Sequence, residues 1–299
     1  MTRFAPLLRR EWMQHHRGYL ALAVIPPVLL LLVLTLGPDV QIQPALSNAP
    51  MVLMPLAIIL VTVLVAALTW LGMAFQLPGL ARRDQQDRSI EFWLSLPVSH
   101  GASVGATLLF HAILVPLAAL VIGWAFSHVL GLVMVAMVSG AATWSTLPWG
   151  LLLPDALVLL LRMALGLTLA TLWVSPLLMV LMLASAGLKR WGVPAVIAGT
   201  VGTGLVLHHG FGITGIADTL AQLMQQAAFA LSPWGASERH LHVGENGADL
   251  LQVLQVFPSV AGRSAIDALQ ALASPLFVAA MAVSAACFYG LVLLRQRNG

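Results

Sequence analysis

The sequence predicts an all-α integral membrane protein with six transmembrane helices, an N-terminal interfacial helix and a small external helical cap. Only 8% of its 299 residues are charged and 60% are hydrophobic, whereas about a quarter of a typical soluble domain is charged. The apolar runs are continuous and reach the roughly twenty residues that a helix needs to cross a bilayer. Spanning β-strands would instead alternate apolar residues over about ten positions.

The first 18 residues predict a helix that lies on the membrane surface. Phe4, Leu8 and Trp12 recur every four residues and share one face, while Arg10 and Arg17, one heptad apart, occupy another. A basic amphipathic helix with a tryptophan at its boundary is typical of interfacial binding to membrane lipid.

Six apolar segments follow, and we assign the spans to residues 19–36, 51–77, 101–126, 155–188, 193–207 and 274–294. Eleven of the fourteen Lys and Arg residues lie in the N-terminal helix, in residues 78–100, at Lys189 and Arg190, and in the C-terminal tail. Since positive charge concentrates on the cytoplasmic side, six spans place all of these segments and both termini in the cytosol. A further span within residues 129–153 would move Lys189 to the outside.

Residues 208–273 predict a cap of external amphipathic helices. Apolar residues follow helical spacing from Ile216 to Leu231, where Ser232 and Pro233 end the helix, and two shorter stretches follow near residues 250–257 and 266–269. Such a cap could shape a substrate exit or only close the bundle, and the sequence leaves both interpretations open.

The loop between the second and third spans, residues 78–100, carries a dense group of charges that cannot lie in hydrocarbon. Asp84 and Arg88 have the spacing that favours a helix, and Trp93 and Leu94 contribute its apolar face. Ser99 can cap the helix that follows. The loop therefore predicts a short amphipathic helix on the membrane surface that displays charges to a soluble partner.

This segment resembles the coupling helix in the membrane subunits of ABC-2-type transporters. The resemblance is carried by the run D-x-x-D-R-S-x-E-x-x-x-S-L-P-V-S, which starts at Asp84 and ends at Ser99. The sequence motif of the family is specific only in this segment, while the six-span layout of the whole chain agrees with the resemblance. It implies that an ATP-binding subunit docks on residues Arg82, Arg83, Asp84, Asp87, Arg88, Ser89, Glu91, Trp93 and Leu94.

The resemblance further implies a second permease subunit, identical or related, and a location in a bacterial inner membrane, with export as the expected direction. The chain has no G-x-x-x-x-G-K-[ST] motif to hold ATP phosphates. ATP and Mg²⁺ are therefore expected in the partner subunit, with no cofactor in this chain. We find no hydrolase motif that would make the chain an enzyme. A membrane scaffold and an ion-driven secondary carrier remain the alternatives, although a carrier would normally show charged residues near mid-membrane.

Two features inside the spans are candidates for a pathway or a dimer contact. Gly199, Gly202 and Gly204 allow a second helix to approach closely, from the same chain or from another subunit. Arg162 is the single Lys or Arg within a span. An intramembrane cation is a functional candidate by default, but structural pairing, for instance with Asp218 or Asp267, is the preferred interpretation.

Metal and nucleic-acid sites are not favoured by the sequence. His208, His209, His240 and His242 lie on the predicted outer side, where imidazoles could bind copper or zinc, but no spacing fixes them together. They are weak candidates, so we predict no metal site. The net charge of +3 comes from residues at span ends rather than from a basic patch with exposed aromatic residues, which argues against nucleic-acid binding.

Overall fold

The structure, a computed structural model, describes residues 4–36, 49–81, 99–234 and 247–297, and all regular secondary structure in these residues is helical. This confirms the all-α fold class. The α-helices are α1 (Phe4–Leu36), α2 (Ala49–Leu80), α3 (His100–Leu109), α4 (Val115–Ser139), α5 (Trp149–Leu188), α6 (Gly192–Phe211), α7 (Gly215–Leu231), α8 (Gly247–Gln270) and α9 (Pro275–Arg297). A π-helical turn, Phe110–Leu114, joins α3 to α4 without interruption, and 3₁₀ turns lie at Ala141–Thr146, Lys189–Trp191 and Ala271–Ala273.

In the part of the chain that the structure describes, five helical runs are long and apolar enough to cross a membrane: Phe4–Leu36, Pro50–Leu80, His100–Ser139, Trp149–Phe211 and Pro275–Arg297. The fourth contains 63 residues, which as one straight helix would measure about 95 Å against a hydrocarbon core of about 30 Å. It is instead divided by the turn Lys189–Trp191, where Lys189 has a φ of 53°. A Cβ on Gly192 would lie 2.4 Å from the carbonyl oxygen of Ala184, so the chain reverses tightly there and α6 packs back on α5.

Several element boundaries differ from those expected. The interfacial helix was expected over residues 1–18 and the first span over 19–36, but the described residues 4–36 form one continuous helix of 33 residues that includes Pro26 and Pro27. The third span, expected to end at residue 126, continues to Ser139 because the polar Ser127 and His128 do not interrupt the helix. Their side chains bond to the carbonyl oxygen of Trp124, at 2.6 and 2.7 Å.

The bounds of α5 and α8 also differ from those expected. The fourth span, expected to begin at residue 155, begins at Trp149. The two stretches expected near residues 250–257 and 266–269 belong to a single helix, α8, which includes Pro258. The helix expected to end at Ser232 does so, since α7 ends at Leu231 with Ser232 as its C-cap.

Helix α5 is the centre of the bundle, because α2, α6, α7, α8 and α9 all pack against it. Its middle contributes Trp173, the largest of the fully buried side chains in the described residues, which is 1% exposed and meets the ring of Phe277 edge to face, with the ring centres 5.0 Å apart. Farther along, the hydroxyls of Ser175 and Ser284 lie 2.9 Å apart and link α5 to α9. The long central helix therefore carries the core of the bundle.

Helices α2 and α4 pack closely through small residues. Gly123, Ser127 and Gly131 recur every fourth residue on the face of α4 toward α2. A Cβ on Gly123 would lie 2.9 Å from the Cβ of Val65, and one on Gly131 would lie 2.6 Å from the sulfur of Met54. Small residues at such spacing let helix backbones approach in a membrane, so this interface depends on the missing side chains.

Adding a methyl group at these glycines should destabilise the protein unequally. Gly123→Ala should cost about 1–3 kcal/mol, the usual cost of overpacking, because Val65 is branched at the contacting carbon. Gly131→Ala should cost less, since the flexible Met54 side chain can move aside. Thermal unfolding of the purified protein in detergent measures both. Gly105→Ala is the control, because a Cβ there meets nothing within 4 Å, and equal stability of the Gly123 and Gly105 variants would contradict the packing argument.

Candidate functional site

The segment with the transporter-like motif lies between two packed helices. Its predicted docking residues lie outside the described part of the chain, which stops at residue 81 and resumes at residue 99; they are Arg82, Arg83, Asp84, Asp87, Arg88, Ser89, Glu91, Trp93 and Leu94. Both flanks are described: α2 ends at Leu80, and Ser99 caps α3, as expected, by accepting a hydrogen bond of 3.2 Å from the backbone N–H of Ala102.

A buried polar cluster lies at the same end of the bundle. It consists of the buried Glu11 and Tyr19 from α1, Thr107 from α3 and His111 from the π-helical turn, together with the exposed Gln76 from α2, and we call it the polar junction. Glu11 and His111 are both 0% exposed. Such groups are costly to bury unless they are paired, so the contacts among them hold three parts of the bundle together.

Glu11 is the centre of the polar junction. Its Oε1 accepts hydrogen bonds from the hydroxyl of Thr107, at 3.1 Å, and from the guanidinium of Arg10. Its Oε2 lies 3.2 Å from Nε2 of His111. One carboxylate therefore fixes α1 to both α3 and the π-helical turn that follows it.

The junction continues to α2 through Tyr19. The tyrosine hydroxyl lies 2.9 Å from Nδ1 of His111 and donates a hydrogen bond of 2.8 Å to the side-chain oxygen of Gln76. The imidazole thus stands between the carboxylate and the phenol. π-helical turns occur frequently at functional sites, and here the turn carries the histidine that connects the two halves of the junction.

Within the described residues, Glu11, His15 and His111 form a group that could hold a metal ion, since their ligand atoms lie within 4.8 Å of one another. Carboxylate and imidazole are suitable ligands for zinc. However, the Arg10 guanidinium is bonded to the same carboxylate, and its positive charge opposes a second cation. We therefore interpret the cluster as a hydrogen-bonded junction between helices.

Truncating the carboxylate should destabilise the bundle. Glu11→Ala removes the acceptor of Thr107 and Arg10 and leaves buried polar groups behind, which should cost about 3–5 kcal/mol. Thermal unfolding in detergent measures the loss. Arg9→Ala is the matched control on the exposed side of the same helix turn and should change stability by less than about 0.5 kcal/mol. An unaltered unfolding temperature for Glu11→Ala would contradict this role.

The sequence analysis did not identify Glu11 as a site residue, although its position in the helical pattern of α1 is unusual. Leu7, Glu11 and Tyr19 all lie on the buried face of α1, so the acid occupies a position where the helical period expects an apolar residue. Arg10, which was assigned to the polar face of the interfacial helix, instead donates a hydrogen bond to the carboxylate of Glu11. Of the other residues predicted for the membrane interface, Phe4, Trp12 and Arg17 are exposed and Leu8 is half-buried.

Arg162 holds two other helices against α5. It is 4% exposed and donates hydrogen bonds to the carbonyl oxygens of Ala230 and Ser232, at 2.8 and 2.7 Å, and to the hydroxyl of Ser264, at 2.9 Å. The two carbonyls belong to the C-terminal end of α7, where unpaired carbonyls and the helix dipole favour a cation. Within the described residues, Arg162 therefore has a structural role: it joins α7 and α8 to α5.

The partners of Arg162 are not the acids that the sequence suggested. Asp218 and Asp267 are exposed and are not among its hydrogen-bond partners in the described chain. Gly166, one turn farther along α5, permits the contact, since a Cβ there would lie 2.4 Å from the carbonyl oxygen of Ala230. Arg162 and Gly166 together therefore set how closely α7 approaches α5.

The structure does not bring together the other candidate residues, the glycines of α6 and the histidines of the predicted outer side, within its described part. Gly199 and Gly202 are exposed and Gly204 is half-buried, and a Cβ at any of them would meet nothing within 4 Å in the described part of the chain. A role of these glycines in a dimer stays a prediction. His208 and His209 are exposed neighbours at the end of α6, while His240 and His242 lie outside the described residues.

Comparison with known proteins adds no relative: no family model, curated protein or solved structure matches this chain. The case for a function therefore depends on the residues and the geometry described above. These give an all-helical protein with five candidate membrane-spanning runs, a charged segment between two of them, and a buried polar junction at the end of the bundle where that segment lies.

Proposed function

We propose that the chain is the membrane-spanning subunit of an ATP-driven ABC-2-type transporter, acting as an exporter with a separate ATP-binding subunit and a second permease subunit. The observation that carries this proposal is the position of the charged segment, residues 82–91. It joins α2 to α3, and both helices are tied to α1 through the polar junction at that end. A partner that moves the segment would therefore act on packed membrane helices.

The contacts give a route for the movement. Glu11 ties α1 to Thr107 and His111, which follow the charged segment, and Tyr19 ties α1 to Gln76, which precedes it. Helix α2 in turn packs against α4 and α5. We expect α1, α2 and α3 to move as one body when ATP closes the partner subunits, and this movement would open a path between the two permease subunits.

The proposal includes six spans with both termini in the cytosol of a bacterium. It places the membrane between two levels of the bundle: the turn Lys189–Trp191 on the cytosolic side, and α7 and α8 on the outer side. The reversal of the chain at Lys189 supports α5 and α6 as separate spans. The proposal also places α7 and α8 on the outer side, where they pack against α5.

Cysteine labelling tests this topology. The one natural cysteine, Cys287, is first replaced by serine, and single cysteines are introduced at Lys189, Asp218 and Arg297. An impermeant maleimide added to intact cells should label the cysteine at 218 alone, and the other two should react only after the membrane is opened. Labelling of position 189 in intact cells would contradict the six-span arrangement.

Purification from native membranes tests the function. A tag on the C-terminus of the full chain should recover a subunit with a P-loop and ATPase activity. Recovery of the chain with no nucleotide-binding subunit, under conditions that retain the chain's native lipids, would contradict the proposal and would favour a scaffold or a carrier.

A further inference from the structure

An apolar cavity lies between α2, α5 and α8 at the end of the bundle opposite the polar junction. Its volume is about 260 Å³, close to the lower limit of about 300 Å³ for small-molecule sites. Val52, Leu159 and Phe257 contribute to its walls, and so does Trp234, which follows α7 in the sequence. The size and the walls suit an alkyl chain or a small ring.

Among the described residues that line the cavity, Asp155 is the one with an ionisable side chain, and the indole N–H of Trp234 is the other polar side-chain group. Asp155 is 7% exposed, and its Oδ2 is buried and makes no hydrogen bond in the structure. Arg162, the nearest cation on the same helix, is engaged with Ala230, Ser232 and Ser264 instead. Oδ2 of Asp155 is therefore left without a hydrogen-bond partner in the wall of an apolar cavity.

An unpartnered buried carboxylate is costly, and polar groups in buried positions are normally satisfied. In a ligand pocket, a single polar group among apolar walls fixes the orientation of the ligand. A group that satisfies a carboxylate must donate hydrogen bonds, and a positively charged donor binds it most strongly. An ammonium group on an apolar chain meets both requirements, because the chain fills the cavity and the ammonium reaches Asp155.

We propose that this cavity binds an amphiphile with a primary amine head group, whose ammonium pairs with the carboxylate of Asp155. The proposal does not depend on ATP-driven transport, since it concerns binding to the folded chain. The same chemistry is offered by an aminophospholipid of the bilayer and by a free alkylamine, and the experiment below separates these two sources.

The test is a binding titration of the full-length protein in detergent with 12-bromododecylamine and, as the neutral comparison, 12-bromododecanol. Bromine quenches tryptophan fluorescence on contact, and Trp234→Phe identifies the part of the signal that comes from the cavity. The amine should bind about tenfold to a hundredfold more tightly than the alcohol, as expected for a charge-assisted hydrogen bond. Asp155→Asn, which keeps the size of the side chain, should lower the affinity for the amine to that for the alcohol.

A second variant leaves the carboxylate in place. Val52→Phe narrows the cavity and should abolish saturable quenching by both ligands, while thermal unfolding verifies that each variant is folded. Equal affinity of the natural protein for amine and alcohol would overturn the proposal, as would unchanged amine binding by Asp155→Asn. An aminophospholipid retained by the purified natural protein but not by Asp155→Asn, seen by native mass spectrometry, would identify a bilayer lipid as the ligand. Amine binding without such a retained lipid would identify a free amphiphile.

Discussion

If the proposed ATP-binding subunit docks on the charged segment, reversing the two acids Asp87 and Glu91 to arginine is expected to abolish the stimulation of its ATPase by this chain. Both residues lie in the charged segment between α2 and α3, and the proposed docking depends on charge complementarity. Like charges placed against each other at an interface cost several kcal/mol, so two reversals should remove productive docking. The ATPase rate of the purified complex measures the effect, and quantification of the chain in the membrane fraction verifies insertion.

A matched control is available at the opposite end of the bundle. Asp218 and Asp267 are exposed acids on α7 and α8, and their double reversal to arginine changes the net charge by the same amount. This control should retain stimulated ATPase activity. Normal stimulation in the Asp87 and Glu91 variant, or an equal loss in the control, would rule out the charged segment as the docking site.

Replacing Arg162 by methionine should lower the free energy of unfolding by about 3–5 kcal/mol. The side chain makes three charge-assisted hydrogen bonds, and its loss would leave the carbonyl oxygen of Ala230 buried without its donor. The carbonyl oxygen of Ser232 would keep only the hydrogen bond of 3.0 Å from the hydroxyl of Ser264. Thermal unfolding in detergent measures the stability. Hydrogen exchange should also increase at the C-terminal turns of α7, where the guanidinium binds.

The control for Arg162→Met is Arg297→Met, which removes an exposed arginine at the end of α9 and should leave stability within about 0.5 kcal/mol. Arg162→Lys should be intermediate, because an ammonium cannot reproduce the planar fork of donors. If Arg162→Met were as stable as Arg297→Met, the three hydrogen bonds would not anchor α7 and α8 to α5.

The sequence predicted the helical fold and most of the apolar segments because bilayer-length apolar runs admit few other structures. It did not predict where helices merge. The interfacial helix was expected to be separate from the first span, residues 19–36, but α1 runs without a break from Phe4 to Leu36. Similarly, Ser127 and His128 looked like an interruption but satisfy their polar groups on the turn that precedes them.

The candidate sites were less predictable because they depend on contacts between distant residues. Glu11 and His111 are 100 residues apart, and no local pattern pairs them. The small-residue face of α4 could have been recognised from the spacing of Gly123, Ser127 and Gly131, whereas the more conspicuous glycines of α6 meet no other part of the described chain. Arg162 was recognised as a structural cation, but two of its three partners are backbone carbonyls, which a sequence cannot display.

The docking of an ATP-binding subunit on the charged segment is tested most directly by photocrosslinking in native membranes. A photoreactive amino acid is introduced at Arg83 or Glu91, and at Asp218 as the control, and the crosslinked partner is identified by mass spectrometry. The account predicts crosslinks from positions 83 and 91 to a P-loop subunit and none from position 218. Crosslinks from positions 83 and 91 that reach only lipid, this chain or a protein without a nucleotide-binding motif would contradict it.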